Sequence, residues 1–146
     1  MTRYLLDTNI VSELVKPKPE PLVAGFVAKT PLDNLFLSEI TFAEIRFGIE
    51  RQSDPLKRSA LISWLNNQMR PMFDGRIVKI DEDVILQWRL MVEAGRKMGR
   101  THSQPDLFIA ACAAVHGLTI VTRDVQGFDG TGVDVFNPWK PQAIQT

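Results

Sequence analysis

Cysteine is almost missing from this 146-residue chain. The one present, Cys112, sits inside an apolar run and reads as a buried core thiol. A single cysteine excludes an internal disulfide and a cysteine-based zinc site. The two histidines, His102 and His116, do not form a metal-binding pair at helical spacing. Net charge is missing too: lysine plus arginine and aspartate plus glutamate each number 17, so any nucleic-acid contact must come from a local patch. No apolar run is long enough to span a bilayer. Met1 to Arg3 lead straight into an apolar run, which leaves no room for a signal peptide and makes the cytoplasm the expected location. No glycine-rich loop follows that run, which counts against a Rossmann or P-loop nucleotide site. Repeats and low-complexity tracts are absent, and no serine has a histidine and an acid arranged as a triad.

What is present is an alternation of apolar strands and helical stripes. Tyr4–Asp7 reads as strand one, a short apolar run ending in an acid. Ile10, Val11, Leu14 and Val15 form a helical stripe, capped by Thr8 or Asn9 and ended by the prolines at 17 and 19. A second helix is expected over Glu20–Ala28 and strand two over Leu35–Leu37. Thr41-Phe42-Ala43-Glu44 reads as a capping box. A helix over Leu56–Met69 ends near Arg70-Pro71, and strand three runs Ile77–Ile80. Asp81 caps a long helix with Val84, Ile85, Trp88, Met91, Val92 and Met98 inward, stopped by Gly99. Pro105 opens a helix apolar nearly throughout from Leu107 to Val115, ended by Gly117. Leu118–Thr122 and Val133–Phe136 are the last strands; 1–139 is one domain and 140–146 a polar tail expected to be mobile. Alternation of this kind predicts an α/β fold, a mostly parallel central sheet flanked by helices on both faces.

Four acids share a positional logic in such a fold. Asp7 and Asp124 follow strands one and four, while Glu44 and Asp106 fall in the first turns of helices that start on the strand-exit side. That edge is where open α/β sheets bind ligands. Carboxylates held together repel unless a cation sits among them, and hard oxygen donors select Mg²⁺ or Mn²⁺. Such an ion polarises a phosphodiester and acidifies water. Each acid also has a purely structural explanation: Glu44 as the capping-box partner, Asp106 as an acid at a helix N-terminus, Asp124 as a turn residue. Asp7, which ends the first apolar strand, is hardest to explain that way.

Leu-Asp-Thr-Asn at 6–9, Thr-Phe-Ala-Glu-Ile at 41–45, Pro-Asp-Leu-Phe-Ile-Ala-Ala at 105–111 and Val-Thr-Arg-Asp at 121–124 together resemble the PIN-domain ribonucleases. Asn137-Pro138-Trp139 further resembles the VapC/FitB toxin branch. The resemblance covers nearly the whole chain in order. It implies a single PIN-like domain with about five parallel strands, a Mg²⁺- or Mn²⁺-dependent endoribonuclease, and a homodimer packed through helices. It also implies a cognate VapB/FitA-like antitoxin that binds DNA and whose tail occupies the active site. Carried over by position, Asp7, Glu44, Asp106 and Asp124 form the catalytic, metal-holding cluster. Many members of the branch have Asn after Thr-Arg and Asp just before the later Phe; here those places hold Asp124 and Gly127, so Asp124 serves as a ligand or in an assisting role.

Thr8, Asn9 and Thr122 are expected to be polar neighbours that orient carboxylates or waters. Arg100, His102 and Arg123 are candidate RNA-phosphate contacts, against the alternative of solvated helix-end charges. Trp64 and Trp88 fall on apolar stripes and read as core or dimer interface. Two competing functions remain from the residues alone. One is phosphoryl transfer to Asp7 as nucleophile, for which the usual second aspartate two residues on is replaced by Asn9. The other is a non-catalytic binding module whose acids are only caps and turn residues.

Overall fold

Five short strands pair in parallel in the order β3-β2-β1-β4-β5. These are β1 (Tyr4–Leu6), β2 (Leu35–Ser38), β3 (Ile77–Val78), β4 (Thr119–Val121) and β5 (Val135–Phe136). The computed structural model describes residues 1–141, so most of the expected 140–146 tail lies outside the described residues. The helices are α1 (Thr8–Leu14), α2 (Pro21–Lys29), α3 (Glu39–Glu50), α4 (Pro55–Trp64), α5 (Arg70–Met72), α6 (Glu82–Lys97) and α7 (Gln104–His116). The α/β architecture with about five parallel strands is as the alternation predicted.

Neighbouring strand residues face opposite sides of the sheet, and two cores result. Leu5 and Ile120 point to the face covered by α6 and α7, with Val84, Met91, Leu107 and Ile109. Leu6 and Val121 point to the other face, with Ile10, Val23, Phe42, Ile49, Leu65 and Met69. Helix α7 runs through the first core, where Ile109, Ala110, Ala111, Cys112 and Ala113 are sealed from solvent. Such a helix is apolar on most sides because neighbours meet it on most sides. Trp88 of α6 stacks on Phe108 of α7, rings parallel and 4.8 Å apart, and its Nε1 donates to Gln104 Oε1. It is packing rather than a base platform.

Several expected boundaries shift, each for a local reason. Strand β1 stops at Leu6; Asp7 is the N-cap of α1, accepting from the Thr8 N–H at 2.8 Å, so neither Thr8 nor Asn9 caps that helix. Ser38 caps α3, accepting from the Thr41 N–H, which places Thr41 inside the first turn and Glu44 in the second. The expected capping box at 41–44 therefore does not exist. The helix expected to end at Arg70-Pro71 continues to Met72: a wide turn over Leu65–Met69, with Arg70 N–H bonded to the Leu65 carbonyl, admits Pro71. Strands β3, β4 and β5 are shorter than expected. Ile85 on α6 and Met98 at its C-cap are exposed, not inward, and Val115 on α7 is exposed as well. The helix ends at Gly99 and Gly117 are as predicted, both glycines being left-handed (φ +69° and +65°).

Candidate active site at the sheet switch point

Chain connections leave β1 on opposite sides: β2 and β3 lie to one side, β4 and β5 to the other. A crevice opens outside the carboxyl ends of β1 and β4, where such a reversal places ligand sites. It forms a cleft of 430 Å³ lined by Asp7, Glu44, Asp106 and Asp124, with Thr8 and Asn9 among its walls. Residues from four separate parts of the chain thus meet, although no two of the acids are closer than 18 positions in sequence.

Asp7 is the most enclosed of them, at 6% exposure. Its Oδ1 accepts from the Thr8 N–H, and its Oδ2 accepts from the Thr122 hydroxyl at 2.8 Å. The buried Thr122 hydroxyl is fully used: it donates to Asp7 and accepts from the Asn9 amide at 3.1 Å and the Asp124 N–H at 3.1 Å. Asn9 Oδ1 in turn accepts from the Arg123 N–H. One hydroxyl therefore ties together the exits of β1 and β4. Glu44 reaches the cleft from the second turn of α3, where its Oε1 accepts from the Thr8 hydroxyl at 2.8 Å. Without a capping role, Glu44 has no local structural task. Asp106 lies in the first turn of α7, behind the Ser103 cap, and Asp124 accepts from the Gly127 N–H at 3.2 Å.

Electrostatics bears the mark of this crowding. Burial pushes the Asp7 carboxyl up from 3.8 to about 6; hydrogen bonds from Thr122 and Thr8 oppose the rise, and the charges of Asp106 and Glu44 add to it. Asp106 is also raised, by burial first and by Asp124 among the charges. Among the described residues none of the four takes part in a salt bridge. No three acidic, histidine or cysteine side chains among the described residues stand close enough to enclose a metal by themselves. A donor set of carboxylates in a polar, open cleft still fits Mg²⁺ or Mn²⁺, because Mg²⁺ is usually held by one or two carboxylates and keeps several waters.

Of the basic candidates, Arg123 lines the cleft with its guanidinium 5.2 Å from the centre of the Trp139 ring. Arg100 and His102 line a smaller adjoining hollow that also reaches Asp106. His102 Nε2 lies 2.6 Å from the Asp129 carbonyl, which ties the loop after Phe128 to the connection between α6 and α7 rather than leaving that nitrogen free. Sequence reasoning missed Glu13, Lys16 and Trp139 as cleft residues. Glu13 is buried, accepts from Lys16 Nζ at 2.9 Å and from the Glu20 N–H, and is held below the usual carboxylate range by the Lys16 bond first. The signal was present: residues 9, 12, 13 and 16 form a polar stripe at helical spacing, opposite the apolar one.

Fold and cleft define a class: a parallel α/β domain whose switch point gathers carboxylates from four elements into one all-oxygen site. The PIN domain family matches residues 4–132. The chain is 33% identical over 137 residues to the VapC ribonuclease Y4jK of Sinorhizobium fredii, covering 94% of this chain and 98% of that protein. It is 36% identical over 135 residues to the toxin FitB of Neisseria gonorrhoeae, covering 92% and 97%. A solved structure of FitAB bound to a DNA fragment superposes with a TM-score of 0.91 at 33% identity, covering 97% of this chain and 99% of that one. The chain belongs to the PIN-domain family.

Proposed function

We propose that this protein is a divalent-metal-dependent endoribonuclease that hydrolyses RNA phosphodiester bonds, the toxin of a toxin–antitoxin pair. The observation that carries the reading is the convergence of Asp7, Glu44, Asp106 and Asp124 on one cleft, with Glu44 freed of any capping role. Asp7, Glu44 and Asp106 would hold Mg²⁺ or Mn²⁺, one or two of them directly and the rest through the ion's waters, with Asp124 assisting. The ion, when bound, supplies a polarised phosphodiester, an acidified water and charge neutralisation. The chain's own residues do the rest. Thr122 and the Thr8 N–H fix both oxygens of Asp7, the Thr8 hydroxyl fixes Glu44, and Asn9 braces Thr122. Arg123 and Lys16, at the cleft wall, meet RNA phosphates, and Arg100 extends that path. His102 serves to hold the loop.

The domain runs through Trp139, because Phe136 and Trp139 pack on the second core. The partner is a DNA-binding antitoxin of the VapB/FitA kind, in keeping with the AB-type complex on DNA that this fold resembles. A homodimer is expected through helix faces; Ile85, Leu86 and Leu90 expose an apolar stretch of α6. Among the described residues no helix is long and apolar enough to cross a membrane, and action on RNA belongs in the cytoplasm. The test is cleavage of a labelled RNA pool by partner-free protein with Mg²⁺, Mn²⁺ or EDTA, beside Asp106→Asn. Discrete products that need the metal and vanish in the variant support the reading. Products that persist in EDTA, or in a folded Asp106→Asn protein, sink it.

A further inference from the structure

We propose that Gly127 is a positioning residue of the acid cleft: its missing side chain lets Asp124 close on Asp106 and so sets how tightly the cleft holds a divalent cation. The inference deepens the nuclease reading and rests on it. Gly127 lies in the short turn Val125–Phe128 that follows β4, anchored by Phe128, which is buried against the α6–α7 core. A Cβ placed on Gly127 would stand 2.6 Å from Asp124 Oδ2, 3.1 Å from Asp124 Cγ and 3.0 Å from Asp106 Oδ2. Oxygens of two acids thus occupy the space in front of one Cα. Any side chain there would have to push them out.

The glycine is not needed for backbone reasons. Gly75, Gly99, Gly117, Gly130 and Gly132 have positive φ; Gly127 does not. Alanine therefore meets no backbone strain at 127, only the two carboxylates. Asp124 is additionally held toward the glycine by the Gly127 N–H on its Oδ1. A methyl group would leave that N–H in place while driving Oδ2 away, opening the Asp106–Asp124 pair without touching either residue chemically.

Mn²⁺ binding to the full chain, measured by calorimetry, tests this in wild type, Gly127→Ala, Asp124→Ala and the double variant, with thermal unfolding in EDTA as the control for fold. Gly127→Ala is expected to unfold at the wild-type temperature or slightly above it. Its Mn²⁺ affinity is expected to fall about tenfold or more, the scale for losing a group that orients a ligand. In the Asp124→Ala background the same methyl is expected to lose most of its effect, since the 2.6 Å clash is gone and only the looser 3.0 Å approach to Asp106 remains. Wild-type affinity in Gly127→Ala overturns the inference alone, as does an equal loss in both backgrounds. Wild-type protein that binds no Mn²⁺ overturns the inference and the nuclease reading together.

Discussion

Asp7→Asn should stabilise the metal-free protein at neutral pH while abolishing cleavage. The Asp7 carboxyl, ordinarily at 3.8, is raised to about 6 in the fold. The native state therefore binds the extra proton between those values, and its stability falls as pH rises through that window. A shift of about two units corresponds to about 3 kcal/mol lost at pH 7.5, where the buried group is ionised. Asparagine avoids that cost but has one acceptor oxygen, while both Asp7 oxygens now accept, from Thr8 and from Thr122. The Thr122 hydroxyl cannot reverse, because its acceptor positions are already taken by Asn9 and Asp124. One lost hydrogen bond costs about 1–2 kcal/mol. The net gain is then about 1–2 kcal/mol, a rise in melting temperature of roughly 3–6 °C for a chain of this size.

Denaturant and thermal unfolding in EDTA, at pH 7.5 and pH 4.5, measure it at fixed protein concentration. The hydrogen-bond loss varies little with pH, whereas the ionisation cost shrinks by about 2 kcal/mol over that range. The gap between variant and wild type should shrink accordingly. A gap that is the same at both pH values refutes the reasoning, because the burial of Asp7 would then carry no electrostatic strain. Added Mg²⁺ should raise the wild type at pH 7.5 and leave the variant nearly unchanged.

Thr122→Val removes the one hydroxyl that joins Asp7, Asn9 and Asp124; it should cost about 1–3 kcal/mol and shift the acid limb of the cleavage pH profile upward, since the Thr122 bond is the larger of the two that restrain the rise at Asp7. Cys112, fully buried and with its thiol pushed up to about 12 by burial, should react with a thiol reagent only as fast as the protein opens, which stopped labelling across denaturant would show. Leu86→Glu with Leu90→Glu on the exposed face of α6 should convert the expected dimer to monomer by light scattering, with the circular dichroism unchanged.

The candidate site was legible as a set and less so residue by residue. Asp106 and Asp124 do the modest local jobs their patterns suggest, opening a helix and holding a turn, whereas Asp7 caps α1 in place of the expected Thr8 or Asn9. Glu44 was the misleading one. The run Thr41-Phe42-Ala43-Glu44 matches a capping box, but the chain turns into helix three residues earlier, at Ser38, whose buried hydroxyl takes the cap. Local spacing cannot distinguish two candidate caps in one stretch; packing of Phe42 and Ile49 into the second core decides the phase. Boundaries were overextended because apolar residues flank the paired ones: Ile80 follows β3, while Leu118 and Val133 precede β4 and β5.

Composition, apolar period and turn residues alone determined the class of fold, the buried thiol, most helix ends and the four acids to examine. Those are properties of neighbours along the chain, where steric and solvation preferences act over a few residues. Only the tertiary structure decided that Thr122 wires Asp7 to Asp124, that Glu13 and Lys16 share the cleft wall, and that Gly127 leaves the room in which two carboxylates meet. Each of these depends on the strand order that puts β4 beside β1. That order is set by burying both faces of the sheet at once, a free energy summed over the whole chain and carried by no single segment of it.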